Sequence, residues 1–359
     1  SVEIFNGVTS ISSSMFYNCR NLQEVIIPNS VISIESFAFE NCSSLTSITI
    51  PDSIETIGVA AFEGCSSLTD IKIPDSVTEI GNAAFSDCSS LSNFILPTDI
   101  TKVSANLFNG CSSLDNITIP DGVTEIEYQA FLDCSSLKSI TIPDNVLSVE
   151  SAAFRGCSSL TDAYISSNIT SIDWGMFFDC SSLTSISIPN GVTNIGNSAF
   201  RECDNLTSIS IPASVISIES SAFLNCDSLT DVYYSGSEDD WAKIDIELPD
   251  NSNFDLVNAV IHYNSFGMEK DDLSHFVSMS PENGATDVEV EITSDFILKV
   301  TFDSEVVAGE GNIYICDYDT GEVYRTINTH TDINRQGFYV NPENSKELII
   351  WGSNWPSDC

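Results

Sequence analysis

Apolar residues recur along this chain in two spacings laid end to end. In "LTSITIP" (45–51) they fall at every second position, the pattern of a strand that buries one face. Pro51, which cannot donate to a ladder, ends that strand. A shorter apolar pair follows, as in "VTEI" (77–80), and predicts a second wall opposite the first. "GNAAFSDC" (81–88) then predicts a single helical or 3₁₀ turn that closes a coil.

These segments repeat with a period of 23 residues and no insertion. Cysteines stand at Cys19, Cys42, Cys65, Cys88, Cys111, Cys134, Cys157, Cys180, Cys203 and Cys226, phenylalanines keep the same step from Phe16 to Phe223, and a leucine follows each cysteine by three. The unit reads A-F-x-x-C-x-x-L-x-x-I-x-I-P-x-x-V-x-x-I. One such coil cannot bury its own apolar side, but stacked coils can, with strands pairing at ~4.8 Å. Residues 1–231 are therefore expected to form a solenoid of ten coils, with identical residues stacked as ladders. Phenylalanine rings at that spacing lie in the range where offset aromatic pairs are favourable. Neighbouring cysteines would have parallel Cβ vectors, too far apart for a disulfide, and single thiols one coil apart lack the convergence that zinc needs. The ten ladder cysteines are expected to be buried free thiols.

The unit "AFEGCSSLTDIKIPDSVTEIG" resembles the BspA-like (Treponema-type) leucine-rich repeat, over residues 1 to about 234. The resemblance implies a leucine-rich solenoid of parallel strands from a surface or secreted protein of bacteria or protists. It further implies adhesion to a host or matrix protein as the function. "DVYYSGSEDDWAKIDIE" (231–247) breaks the pattern and resembles the terminal element of such arrays, so 232–264 is read as a cap with Tyr233, Tyr234 and Trp241 as its lid. "NAVIHYN" (258–264) supplies a closing strand.

Residues 265–276 are polar and without period, and read as a linker. Beyond them short alternating runs return, separated by turn residues, the rhythm of an antiparallel sandwich. "SMSPENGATDVEVEI", with its Pro-x-x-Gly-Ala-x-x-Val opening, resembles the start of a bacterial Ig-like domain, so 277–359 is read as an all-β Ig-like sandwich lacking or borrowing a final strand. Cys316 and Cys359 lie outside the ladder and are candidates to pair with each other. "DYDTGE" (317–322) holds part of a calcium-loop pattern without its bidentate glutamate, and reads as a hairpin turn.

Charge narrows the partners. Of 359 residues, 52 are acidic and 12 basic, for a net charge of −40, and both parts share it: 27 acids against 6 bases up to residue 231, then 25 against 6. Such a surface excludes nucleic acid as a partner. No apolar run approaches the ~20 residues of a bilayer helix, so no membrane insertion is expected. The chain opens inside a repeat without the features of a secretory signal, so a signal and an anchor are expected outside this fragment, with an extracellular or cell-surface location. Sequons at Asn41, Asn116, Asn168 and Asn205 are those chance provides in so Asn-, Ser- and Thr-rich a chain.

Little catalytic chemistry is visible. His262, His275 and His330 lie beyond the ten coils with no nucleophile or ligand at a working spacing, and no phosphate-binding loop occurs. No enzyme activity, cofactor or metal is expected. The outward strand positions are mostly small and polar, and the exceptions are the candidate ligand-binding residues: Ile26, Lys72, Ile95, Tyr164 and Tyr233. A rival patch lies on the closing turn at Trp174, Met176 and Phe178. The expected partner is a protein ligand bound by the exposed sheet. Two alternatives stay open, a structural surface-layer or spacer protein and a glycan-binding accessory module.

Overall fold

A computed structural model describes residues 1–248 and 252–265 in full, and the backbone of seven strands between residues 278 and 350. The chain divides into two units, Ser1–Asn264 and Ser265–Cys359. The first is a parallel β-solenoid of about ten coils, each with three walls.

The front wall is built from the alternating segments. Val2–Glu3 pairs with Val25–Ile26, Asp70–Lys72 with Asn93–Ile95, Ser139–Thr141 with Asp162–Tyr164, and Ser185–Ser187 with Ser208–Ile211, always parallel and always shifted by 23 residues. The second and fifth coils contribute only the single bridges Ser47 to Asp70 and Asn93 to Asn116. The second wall uses the shorter apolar pair. Two-residue strands pair coil to coil in three groups, from Ser10–Ile11 to Glu79–Ile80, from Lys102–Val103 to Ser148–Val149 and from Ser171–Ile172 to Ser217–Ile218, with the second residue of each strand inward. Between the walls the proline carbonyl accepts a hydrogen bond from the residue three ahead, as in Ile54 N to Pro51 O at 3.0 Å.

The third wall differs from the helical turn that the sequence predicts. Backbone N–H groups alternate there between a local carbonyl and one in the next coil: Phe39 N donates to Ala61 O at 2.7 Å, whereas Ala38 N donates to Glu35 O at 3.3 Å. That alternation requires two left-handed residues in every coil. One lies two positions before the phenylalanine (Ala60 φ 52°, Ala83 φ 56°) and the other directly before the cysteine (Asn41 φ 59°, Asp87 φ 57°, Gly110 φ 73°). No right-handed helix can pass through both, so the wall is a third inter-coil ladder.

Inside, Ile, Val, Leu, Phe and Cys ladders fill one continuous core. Consecutive phenylalanines from Phe16 to Phe85 and from Phe108 to Phe223 stack with centroids 5.1 to 5.6 Å apart. The interval widens to 6.2 Å between Phe85 and Phe108, where Phe94, in place of the usual isoleucine, inserts its ring edge-on at 4.8 Å from each. Nine of the ten ladder cysteines are buried and unbridged. Their thiols donate to the phenylalanine carbonyl of the preceding coil, as Cys88 Sγ does to Phe62 O at 3.2 Å. Cys19 departs from the expectation and is exposed, because no earlier coil covers it among the described residues.

At the other end side chains stand in for a further coil. Phe223 N, whose counterparts donate to backbone, donates to Asn253 Oδ1 at 3.0 Å, and Cys226 N donates to Asp255 Oδ2 at 3.2 Å. Asn253 Nδ2 in turn donates to the carbonyls of Glu219 and Glu247. Leu256 and Tyr234 are buried, and Trp241 meets the Tyr234 ring edge-on at 5.1 Å. Val260–Tyr263 closes the front wall in register with Asp231–Tyr234. Tyr233, next to Tyr234 in its strand, is half-buried and packs its ring on His262 of the closing strand.

In the second unit the strands pair antiparallel in two sheets, one of Ser278–Pro281, Asn312–Cys316 and Val323–Asn328, the other of Val288–Ile292, Leu298–Phe302, Glu347–Ile350 and Phe338–Val340. The linker, the pairing of Cys316 with Cys359, the 317–322 turn and the completeness of an Ig-like sandwich lie outside the described residues.

Candidate functional site

The front wall positions the candidate residues by its two-residue period. Inward side chains such as Ile71, Ile140 and Ile186 are buried, so the residues on either side of them point to solvent. Ile26 and Ile95 keep 51 % and 76 % of their surface exposed, far more than a core strand residue. Lys72 is exposed and lies in register with Ile95. Tyr164 and Tyr233 are half-buried. The five do not converge on one point. They form a row along the wall, with Lys72 and Ile95 adjacent, Tyr164 three coils (~14 Å) beyond Ile95, and Tyr233 a further three coils on.

The structure adds residues to this row that sequence reasoning missed. Asp231 stands two positions before Tyr233, and His262 lies in register beside it. The His262 ring stacks on Tyr233, centroids 4.8 Å apart and planes at 17°, while its Nε2 is 2.7 Å from Asp231 Oδ1. Thr230 Oγ1 donates to the other carboxylate oxygen at 2.7 Å. These hydrogen bonds, that to His262 first, hold the Asp231 carboxyl below the usual carboxylate range. Asp162 stands before Tyr164 in the same way and accepts from Thr161 Oγ1 at 2.6 Å. The available signal was a repeated string, "TDAY" (161–164) and "TDVY" (230–233). His262 carried no such signal, because it lies beyond the last coil.

The rival patch divides. Met176 is fully buried and belongs to the core, taking the place of the alanine found in most other coils. Trp174 is 40 % exposed, and Phe178 sits between two guanidinium groups, Arg155 from the preceding coil at 4.3 Å and Arg201 from the following one at 5.1 Å. Two of the six bases up to residue 231 are thus engaged with a neighbouring ring. Arg201 also pairs with Glu202 at 3.1 Å.

Nothing in the described residues groups three or more His, Cys, Asp or Glu side chains as a metal site, and none of the described helices is long and apolar enough to cross a membrane. Buried thiols line the core, and burial pushes Cys42 up to about 11 and Cys111 up to about 12, which holds them in the unreactive neutral form.

The family of the BspA type leucine rich repeat region, in six copies, matches residues 1–115 and 101–230. The chain belongs to that family. Among solved structures, this BspA-type chain is similar to a leucine rich cell surface protein from Faecalibacterium prausnitzii, at 32 % identity over 68 % of this chain and 90 % of that one, with a TM-score of 0.37. It is also similar to a leucine-rich repeat protein from Bacteroides ovatus, at 27 % identity over 73 % and 91 % of the two chains, with a TM-score of 0.32. The pneumococcal vaccine antigen PcpA is 17 % identical over 74 % and 87 %, with a TM-score of 0.43. No curated protein matches the chain.

Proposed function

We propose that this BspA-type protein is a non-enzymatic binding protein of the cell surface or the secreted space, and that it adheres to a host, matrix or neighbouring-cell protein through the front wall of its solenoid. The observation that carries the reading is the row of outward residues. A stacked coil constrains its inward positions, and small polar residues satisfy the outward ones, as Thr141, Ser187 and Ser210 do. Ile26 and Ile95 are exposed and Tyr164 and Tyr233 keep part of their surface in solvent, and a row of this kind on a rigid sheet suits a broad protein contact. The likeness to a protein described as a cell surface protein agrees with this location.

In this reading residues 1–231 present the surface, 232–264 seal its end, 265–276 link, and 277–359 form an Ig-like spacer. A solid-phase survey against matrix proteins, serum proteins and glycans tests it, with a variant carrying Tyr164→Ser and Tyr233→Ser as control. A ligand that binds the native chain and loses most of its affinity for the variant is expected. Absence of any ligand above background, or equal binding by the variant, contradicts the reading.

A further inference from the structure

One position of the third wall changes character along the solenoid. Directly after the ladder phenylalanine stand Glu40, Glu63, Ser86 and Asn109 in the second to fifth coils, and Leu132, Arg155, Phe178, Arg201 and Leu224 in the last five. The wall thus passes from acidic and polar to apolar and basic, in a stretch with 27 acids against 6 bases up to residue 231. Those last five side chains are half-buried, and Trp174, 40 % exposed, borders Arg155.

Arg155 is the base that this wall leaves unmatched. Arg201 pairs with Glu202, Lys102 with Glu127 and Lys138 with Asp115. The Arg155 guanidinium packs on rings instead, with Cζ 4.3 Å from the Phe178 centroid and 5.9 Å from that of Trp174, and among the described residues no carboxylate stands at ion-pair distance from it. The nearest acids do not fill that role. Burial and the acids Glu202, Asp204 and Asp133 raise the Asp179 carboxyl, and Arg155 offsets this only in part. A guanidinium stacked on a ring keeps the N–H donors of its edge for a carboxylate held in its own plane. The rings fix it in advance, so little freedom is lost on binding. Arginine among large aromatic residues is also the composition of interface anchors.

We propose that Arg155, packed on Trp174 and Phe178, receives one acidic side chain of a second protein partner, next to an apolar residue that packs on Trp174. The surrounding charge sets the selectivity. Asp133, Asp179 and Glu202 leave room for a single carboxylate, and the net charge of −40 turns away an acidic run. At physiological salt charges more than about 8 Å away are largely screened, so an isolated acid responds mainly to Arg155 and its neighbours. The site lies on the third wall and does not depend on the front wall being a binding face.

The whole chain, labelled with ¹⁵N in its arginines, is titrated at physiological salt with capped Gly/Ser peptides. One carries a single aspartate followed by leucine, the second has asparagine for that aspartate, and the third has a run of aspartates. The Nε–H signal of Arg155, identified by its loss in Arg155→Lys, is expected to shift saturably with the first peptide and far less with the other two. Trp174→Ser and Phe178→Ser, each checked by circular dichroism for an unchanged fold, are expected to weaken the first peptide about fivefold while Lys138→Gln leaves it unchanged. Equal shifts with the aspartate and asparagine peptides, tightest binding of the acidic run, or a shift at the exposed Arg20 that matches the one at Arg155 overturns the site. So does the absence of a saturable shift at Arg155 up to about 10 mM peptide. The Tyr164→Ser and Tyr233→Ser double variant is expected to bind the first peptide as the native chain does. Loss of binding there instead puts the peptide on the front wall and overturns the site.

Discussion

At the scale of the residue, the ladder cysteine shows how stacking decides chemistry. Its thiol is buried in the core, donates to a carbonyl one coil back, and is pushed well up by burial, with neighbouring cysteines adding to the rise at Cys42, Cys65 and Cys88. The consequence for stability has a definite sign. A folded thiol keeps its proton after the unfolded one, near 9.0, has begun to lose it, so the contribution is fully present below that pH and is lost as pH rises toward the folded value. Nine buried thiols act in the same direction. Stability to urea is therefore expected to fall between pH 8 and pH 10, by about 1.4 kcal/mol over the whole interval for each thiol held neutral, and most of it above pH 9. A midpoint that stays level over that interval contradicts the buried ladder.

At the scale of the element, the front and second walls were legible because a strand with one buried face has a side-chain period, as in "LTSITIP", and a two-residue strand at least shows its apolar pair. The third wall was not, since its repeat lies in the backbone. Hydrogen bonds leave the coil at every second residue there, and left-handed conformations at Ala83 and Asp87 permit it. A trace was present in the sequence. The residue before the cysteine is Gly, Asn or Asp in every coil except the one with Glu202, which is the composition that positive φ selects. Ala83→Gly separates the two pictures. In a right-handed helical turn glycine costs about 1 kcal/mol, whereas relief of the left-handed alanine stabilises by about 1 kcal/mol. Chemical denaturation of this variant is expected to show the gain, and a loss would restore the helical turn. In the candidate site the same limit applies: Tyr164 and Tyr233 were visible as large residues in a column of small ones, but their grouping with Asp162, Asp231 and His262 depends on register between coils and on the closing strand.

At the scale of the whole first unit, acids cover all three walls, from Asp70, Asp162 and Asp231 in front to Glu55 and Glu79 on the second wall and Asp87 and Asp133 on the third. This gives a reporter on every face of the solenoid. Regular stacking leaves few positions free to vary, and those proposed to bind lie in front, where the large side chains coincide with Asp162 and Asp231. Carbodiimide labelling of the carboxylates, mapped by mass spectrometry with and without a saturating protein ligand, tests this most directly. Asp162 and Asp231 are expected to lose label on binding while Glu55, Glu79 and Asp133 keep it. Protection of the second or third wall, with Asp162 and Asp231 labelled as before, would contradict the account.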